Sequence, residues 1–427
     1  MILAAFRVRS FRFQSAADLL TSWAFEMETV VLGWYVMVHT GSVLLLTAFG
    51  SLQFLGTLAA PMFGVLGDRL GGRAMLCAMR ATYAGLAALL TLLALAGLLA
   101  PAWVLVVAAL AGVVRPNDLV MRNALIGETI PPAHLMGALA TSRATTDSAR
   151  VVGPLAGAAL STALGIGYTY VFVTTVYLAS LALTFGVSRG SPVPDPGASP
   201  RGAGAGAVST GASRPSGWRD LQDGLVRVLK TPELLALMLL AFLVNLTAYP
   251  VSSGLMPYVA ERIYQVDATG LGRLIASFAF GGLLASITMV LTGGPRHPER
   301  ATLVGTALWY VLLLGFGHLT SLGAGLLTLL VAGFVQNVAM IAMTATLLAA
   351  AGDGFRGRVM GVRMLAVYGL PLGLIACGFL IERIGYPLTI TAATTLGLVF
   401  TVLIGIRWRA SIWQRRRQPA AAVPQGV

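Results

Sequence analysis

Charge is scarce in this chain, and acid is scarcer than base. Only 11% of its 427 residues are charged, with 16 Asp and Glu against 29 Lys and Arg. A soluble domain carries about a quarter charged residues, so a water-exposed surface of ordinary kind is excluded. Two cysteines, Cys77 and Cys377, are too few and too far apart for a disulfide framework. Four histidines and no His/Cys cluster leave no metal site. No nucleotide loop and no nucleophile triad occurs, so ATP-driven transport and enzymatic catalysis lack a basis and no cofactor is expected. Strict apolar/polar alternation is missing as well, which excludes a membrane β-barrel.

What is abundant is hydrocarbon: 57% of the residues are hydrophobic. Apolar runs of span length recur throughout, the signature of a polytopic helical membrane protein. Twelve candidate spans fall at 14–38, 42–64, 75–99, 102–125, 143–164, 168–187, 233–256, 269–292, 301–318, 321–346, 358–381 and 386–407. With both termini on one side, Arg262, Arg273 and Arg383 are the basic residues on the opposite side, and Arg115 lies inside a span. That asymmetry predicts cytoplasmic termini. It also explains the +13 net charge without nucleic acid. The tail Arg407, Arg409, Arg415, Arg416 and Arg417 is expected to anchor on anionic lipid. No cleavable signal is evident at the N-terminus.

Residues 188–217 are dominated by Gly, Pro, Ser and Ala and cannot form a packed core. Trp218 to Lys230 alternates charged and apolar residues at helical spacing, predicting an amphipathic surface helix. The expected organisation is therefore an all-α membrane protein with an N-terminal six-helix bundle over 1–187, a linker with an amphipathic helix over 188–231, and a C-terminal six-helix bundle with basic tail over 232–427.

Between the second and third spans lies Gly64-Val65-Leu66-Gly67-Asp68-Arg69-Leu70-Gly71-Gly72-Arg73. Such a charged, glycine-rich hairpin caps two spans at one membrane face. It resembles the Gly-x-Leu-x-Asp-Arg-x-Gly-x-Arg loop of the major facilitator superfamily. Val151-Val152-Gly153-Pro154-Leu155-Ala156-Gly157-Ala158 is similar to that superfamily's fifth-span exporter element. Leu19 to Val36 and the run Asp353 to Gly361 resemble its enterobactin-exporter and secretion-effector branch. The resemblance implies twelve spans in two pseudo-symmetric bundles around a central cavity. It also implies a secondary transporter in a bacterial inner membrane, exchanging a siderophore-like metabolite or hydrophobic drug for protons. It assigns gating to Asp68, Arg69 and Arg73, with Asp68 reaching Arg122 or Arg356. Uptake or lipid flipping on the same fold, and a non-transporting scaffold or receptor, are the alternative readings. A monomer is expected.

Ionisable groups inside spans are costly and require an account. The first span holds Asp18, Glu26 and Glu28. At about 100° per residue, Glu26 and Glu28 face nearly opposite ways. One stripe is Ser22, Glu26, Thr29 and Gly33; the other is Thr21, Phe25, Glu28, Leu32 and Tyr35. Periodicity leaves open which stripe faces the cavity, with Glu26 preferred as the functional acid. The fourth span carries Arg115, Asp118 and Arg122 at spacings that share a face. Because the two spans run in opposite directions, Arg115 meets the depth of Glu26 and Glu28, and Arg122 that of Asp18. Two tiers of ion pairs are expected, either a static packing network or a proton-coupling device using Glu26, Glu28, Arg115 and Asp118. Asp147 and Arg150 are expected to form a gate pair or a solvated pair. Gly153, Pro154 and Gly157 offer a hinge or a plain kink. In the second half, Asn245, Tyr249, Gln336, Asn337 and Met340, with Tyr35 of the first half, are the candidate cavity residues, and no central charge is expected there. Helix-to-helix hydrogen bonding is the ordinary alternative for the two asparagines and the glutamine.

Overall fold

The computed structural model describes residues 2–57, 70–187, 217–352 and 355–409. Asp68, Arg69 and most of the 188–217 segment lie outside these residues. Every regular element among the described residues is helical. Hydrocarbon offers the backbone no hydrogen-bond partners, so an apolar chain must satisfy its amides within each helix.

In order, the helices are α1 (Arg9–Thr40), α2 (Val43–Leu52), α3 (Gly72–Leu95), α4 (Pro101–Val114), α5 (Asp118–Thr129), α6 (Pro132–Thr184), α7 (Gly217–Lys230) and α8 (Pro232–Thr247). They continue with α9 (Met256–Tyr258), α10 (Ala268–Thr292), α11 (Pro298–Phe316), α12 (Leu322–Ala351), α13 (Arg356–Ala366), α14 (Gly369–Ile384) and α15 (Tyr386–Arg407). Eight continuous stretches are long and apolar enough to cross a membrane. One of them, within α6, holds two spans joined at Gly165, where φ of 76° turns the chain without a loop. Only glycine takes that conformation without penalty. The charged α1, the 19-residue α11 and the short apolar stretch Val43–Thr57 complete twelve.

Several spans are interrupted at proline. The fourth passes from α4 to α5 through a 3-10 turn, Arg115–Asn117, around Pro116. The seventh passes from α8 through π segments at Pro250–Gly254 and Val259–Ile263. It therefore runs to Ile263, beyond the expected end at 256. The fifth starts at Pro132, well before the expected 143.

In the N-terminal half α1 and α3 both pack along α6; in the C-terminal half α10 and α11 pack along α12. The halves meet where α10 lies on α6 and α14 lies on α2. Ser42 Oγ donates to Glu382 Oε1 at 3.1 Å, and Thr162 and Thr269 hydroxyls are 3.3 Å apart. Both contacts lie at the end of the bundle away from the termini. The amphipathic helix α7 packs on α13 and α8. Asp223 and Arg358 are 3.7 Å apart, and Arg227 lies 5.5 Å from the Phe355 ring centre.

Candidate functional site

The N-terminal half contains two tiers of buried charge. In the tier nearer the termini, Asp18 pairs with Arg80, and its Oδ1 is 3.5 Å from Arg122 Nε. Arg122 pairs in turn with Asp118, one helical turn earlier. Arg122 Nη1 also donates to Ser22 Oγ at 2.7 Å and to the Asp18 carbonyl at 3.2 Å. Arg80 donates to Thr184 Oγ1. All four charged side chains are at most 4% exposed. Two arginines and two aspartates balance, which is what low dielectric demands.

The second tier lies deeper. Arg115 Nη2 is 2.7 Å from Glu28 Oε2, and the Tyr177 hydroxyl donates to the same oxygen at 3.0 Å. Arg115 Nη1 donates to Gln53 Oε1 at 2.6 Å and Thr29 Oγ1 at 3.1 Å. Its guanidinium carbon lies 3.6 Å from the Phe25 ring centre, a cation–π contact. The local sequence explains the aim of this side chain. Pro116 has no N–H, so the α-helical ladder breaks there and the chain tightens. Asn117 Nδ2 then donates to the Gly56 carbonyl at 3.1 Å, tying this break to the one that ends α2. A side chain at Gly56 would strike the Val113 carbonyl, and one at Gly112 the Leu52 carbonyl. Glycine at both positions brings the two spans close enough for Arg115 to reach Gln53.

Glu26 differs from its neighbour. It is half-buried, and no described residue makes a hydrogen bond or ion pair with it. Arg150 and, more weakly, Arg115 act on it through space. Its Cβ sits where a side chain on Gly153 would stand, so it faces the fifth span. Of the two mid-membrane glutamates left open as partners of Arg115, Glu28 forms the ion pair.

The remaining expectations divide. Asp147 pairs with Arg143 at 3.2 Å rather than with Arg150. Arg150 is exposed. Arg73 donates to the Phe185 carbonyl at 2.6 Å, fastening the third span to the end of the sixth. Arg356 Nε lies 3.4 Å from the Leu348 carbonyl, linking the tenth and eleventh spans. Arg122 is already committed to Asp18 and Asp118; the Asp68 side of that expected contact lies outside the described residues. Gly153 and Gly157 pack on Glu26 and Met27 of α1, and Pro154 sits inside a continuous helix.

In the C-terminal half a pocket of about 140 Å³ is lined by Asn245, Tyr249, Met340, Met343 and Arg363, among others. Gln336 Nε2 donates to the Tyr249 hydroxyl at 2.8 Å, and Trp309 meets the Tyr249 ring edge-on at 5.2 Å. Asn337 turns away and donates to the Gly282 carbonyl and to Ser286 Oγ, so it joins two helices instead of lining the pocket. Tyr35 also lies elsewhere: its hydroxyl donates to the Leu99 carbonyl within the N-terminal half, at 2.8 Å. Arg363, near the start of the eleventh span rather than at its centre, lines the pocket and donates to Thr344 Oγ1 at 2.7 Å.

Sequence reasoning missed Arg80, Gln53, Tyr177 and Arg363. Arg80 had a signal, as a lone charge within an apolar helix. Arg363 had the same one, obscured by its closeness to the expected start of the eleventh span.

The model of the Major Facilitator Superfamily matches residues 16–371. The chain belongs to the major facilitator superfamily. A bacterial homologue of the human lysosomal transporter Spinster, in an inward-facing unoccupied conformation, superposes with a TM-score of 0.69 at 15% identity. That match covers 96% of this chain and 99% of the other. The nucleoside transporter NupG gives 0.67 at 12% identity, over 95% and 100% of the two chains. The human organic anion transporter MFSD10 gives 0.61 at 17%, over 93% and 99%. At these identities the likeness shows the fold. No curated protein sequence matches the chain. Membership makes it a multi-pass membrane transporter with a small-molecule substrate; in this superfamily fold, two six-helix bundles flank the substrate path.

Proposed function

We propose that this facilitator protein exports a small organic molecule from the bacterial cytoplasm in exchange for protons, with both termini and the linker cytoplasmic. Glu26 is the proton carrier, and Glu28 with Arg115 forms the fixed charge pair beside it. The observation that carries this reading is the contrast between two carboxylates two residues apart. Glu28 is held by Arg115 and Tyr177. Glu26 stands at similar depth with no described partner at bonding distance, where an unpaired charge is costly. Such a carboxylate is relieved by a proton, by water or by an approaching cation, and Arg150 on the fifth span is that cation. The Asp68 hairpin is the cytoplasmic gate, as the resemblance implies, with Arg73 bracing its far end against the sixth span.

The test compares cells lacking and overproducing the protein, across a panel of fluorescent cationic, neutral and anionic compounds. Overproduction should lower the accumulation of at least one compound. An uncoupler and Glu26→Gln should each abolish the difference, while Glu28→Gln should lower protein stability as well. Higher accumulation on overproduction would establish uptake instead. Export that persists with uncoupler and in Glu26→Gln would refute proton coupling through this acid. Topology is checked separately: a cysteine placed in the linker should resist impermeant reagents in intact cells.

A further inference from the structure

Arg363 is an arginine without a carboxylate. Its Nη1 is held by Thr344, and among the described residues no acidic side chain lies within 4.0 Å of it. Among the described residues, Arg80, Arg115 and Arg122, buried or half-buried within the N-terminal half, each have one. None of the Arg363 nitrogens is enclosed without a partner, so its remaining donors open on the pocket it lines. A guanidinium has five N–H donors in a planar fork that fits a carboxylate with two parallel bonds.

Two further features point the same way. The Tyr249 hydroxyl accepts from Gln336, which leaves its own proton free to donate into the same pocket. Beside the charge, Met340 and Met343 supply a polarizable apolar wall that adapts to different shapes.

We infer that this pocket binds the carboxylate of an amphipathic organic anion at Arg363 and Tyr249, with the apolar body of the molecule against Met340 and Met343. The inference rests on the transporter reading and names its substrate class. Thr344 is a positioning residue, fixing one edge of the guanidinium so that the other edge meets the ligand.

Binding is read on the purified full-length protein in detergent, as the rise in thermal unfolding midpoint with ligand concentration. The probes are naphthalene-2-carboxylate, naphthalene-2-carboxamide and 2-naphthylmethylamine. The carboxylate should bind about ten-fold or more tightly than the amide or the amine, the value of a hydrogen bond to a charged group. Arg363→Gln should erase that preference, Arg363→Lys should keep part of it, and Thr344→Val should weaken it a few-fold. Arg383→Gln, whose side chain stands over Phe379 at the far end of the eleventh span, should leave it intact. Equal binding of carboxylate and amide, no binding of the carboxylate, or a preference that survives in Arg363→Gln would each overturn the inference. Should Arg363→Gln fail to fold, the lysine and Thr344 variants decide alone. Because binding is measured without transport, these outcomes are separate from failure of the export reading, which is read from accumulation in cells.

Discussion

In the N-terminal half, Asp18, Glu28, Arg80, Arg115, Asp118 and Arg122 are buried or nearly so, and every one has an opposite charge at bonding distance. The pocket of the C-terminal half holds one arginine against one threonine, with methionine and aromatic rings around it. The helices differ in the same sense. The N-terminal half tightens its fourth span into a 3-10 turn and uses it to aim Arg115. The C-terminal half loosens its seventh span into two π segments, the first directly after Tyr249. Two bundles of like architecture thus differ in how they use charge: in one, paired charges fix the geometry of the helices, and in the other a single arginine lines an adaptable wall.

The division is broken most severely at Arg80. Arg80→Ala leaves Asp18 buried with less countercharge and should cost about 3–5 kcal/mol, read from unfolding midpoints in detergent. Arg363→Gln should cost far less, since it strands no acid; equal losses would erase the distinction between the halves. Gly112→Ala comes next, at roughly 1–3 kcal/mol, because its Cβ strikes the Leu52 carbonyl. Gly281→Ala, facing the Leu330 carbonyl in the other half, should lose similar stability. Only Gly112→Ala should also reduce uncoupler-sensitive transport, by moving Arg115 away from Gln53 and Glu28. Tyr249→Phe should cost about 1 kcal/mol, the value of one neutral hydrogen bond, in the same unfolding measurement. The smallest effect on stability belongs to Glu26→Gln, within about 0.5 kcal/mol, because no bond is lost. That variant should nonetheless lose proton-dependent transport; a large fall in its unfolding midpoint would show that Glu26 has a structural partner.

Much of this was legible in the sequence. Apolar runs gave the twelve spans, since hydrocarbon imposes a length and a composition that no tertiary contact can override. The depths of Arg115 and Arg122 followed from counting residues along antiparallel spans, and the pairs with Glu28 and Asp18 lie at those depths. The facing of side chains was harder. Counting at 100° per residue does not show that the helix breaks into a 3-10 turn at Pro116, or which of Glu26 and Glu28 Arg115 meets. Tyr35 and Asn337 have polar tips that suit a cavity or a neighbouring carbonyl equally, and only packing decides. Asp147 had two arginines in reach, Arg143 and Arg150, and the pair with the former depends on rotamers that spacing does not specify.

The close contacts that the fifth span makes with the first and eighth spans have a mechanical meaning. Cβ atoms added at Gly153 and Gly157 would collide with α1, and one added at Gly272 of α10 would meet Ala158 and the Pro154 carbonyl. At these glycines the helices approach closely, with only short side-chain atoms between them. A joint of that kind is a plain bearing: it resists turning weakly, and it has no row of rotamers that must unlock in sequence. Glu26 is the residue against Gly153. Under the proposed proton coupling, a proton on Glu26 would change the charge at that joint directly.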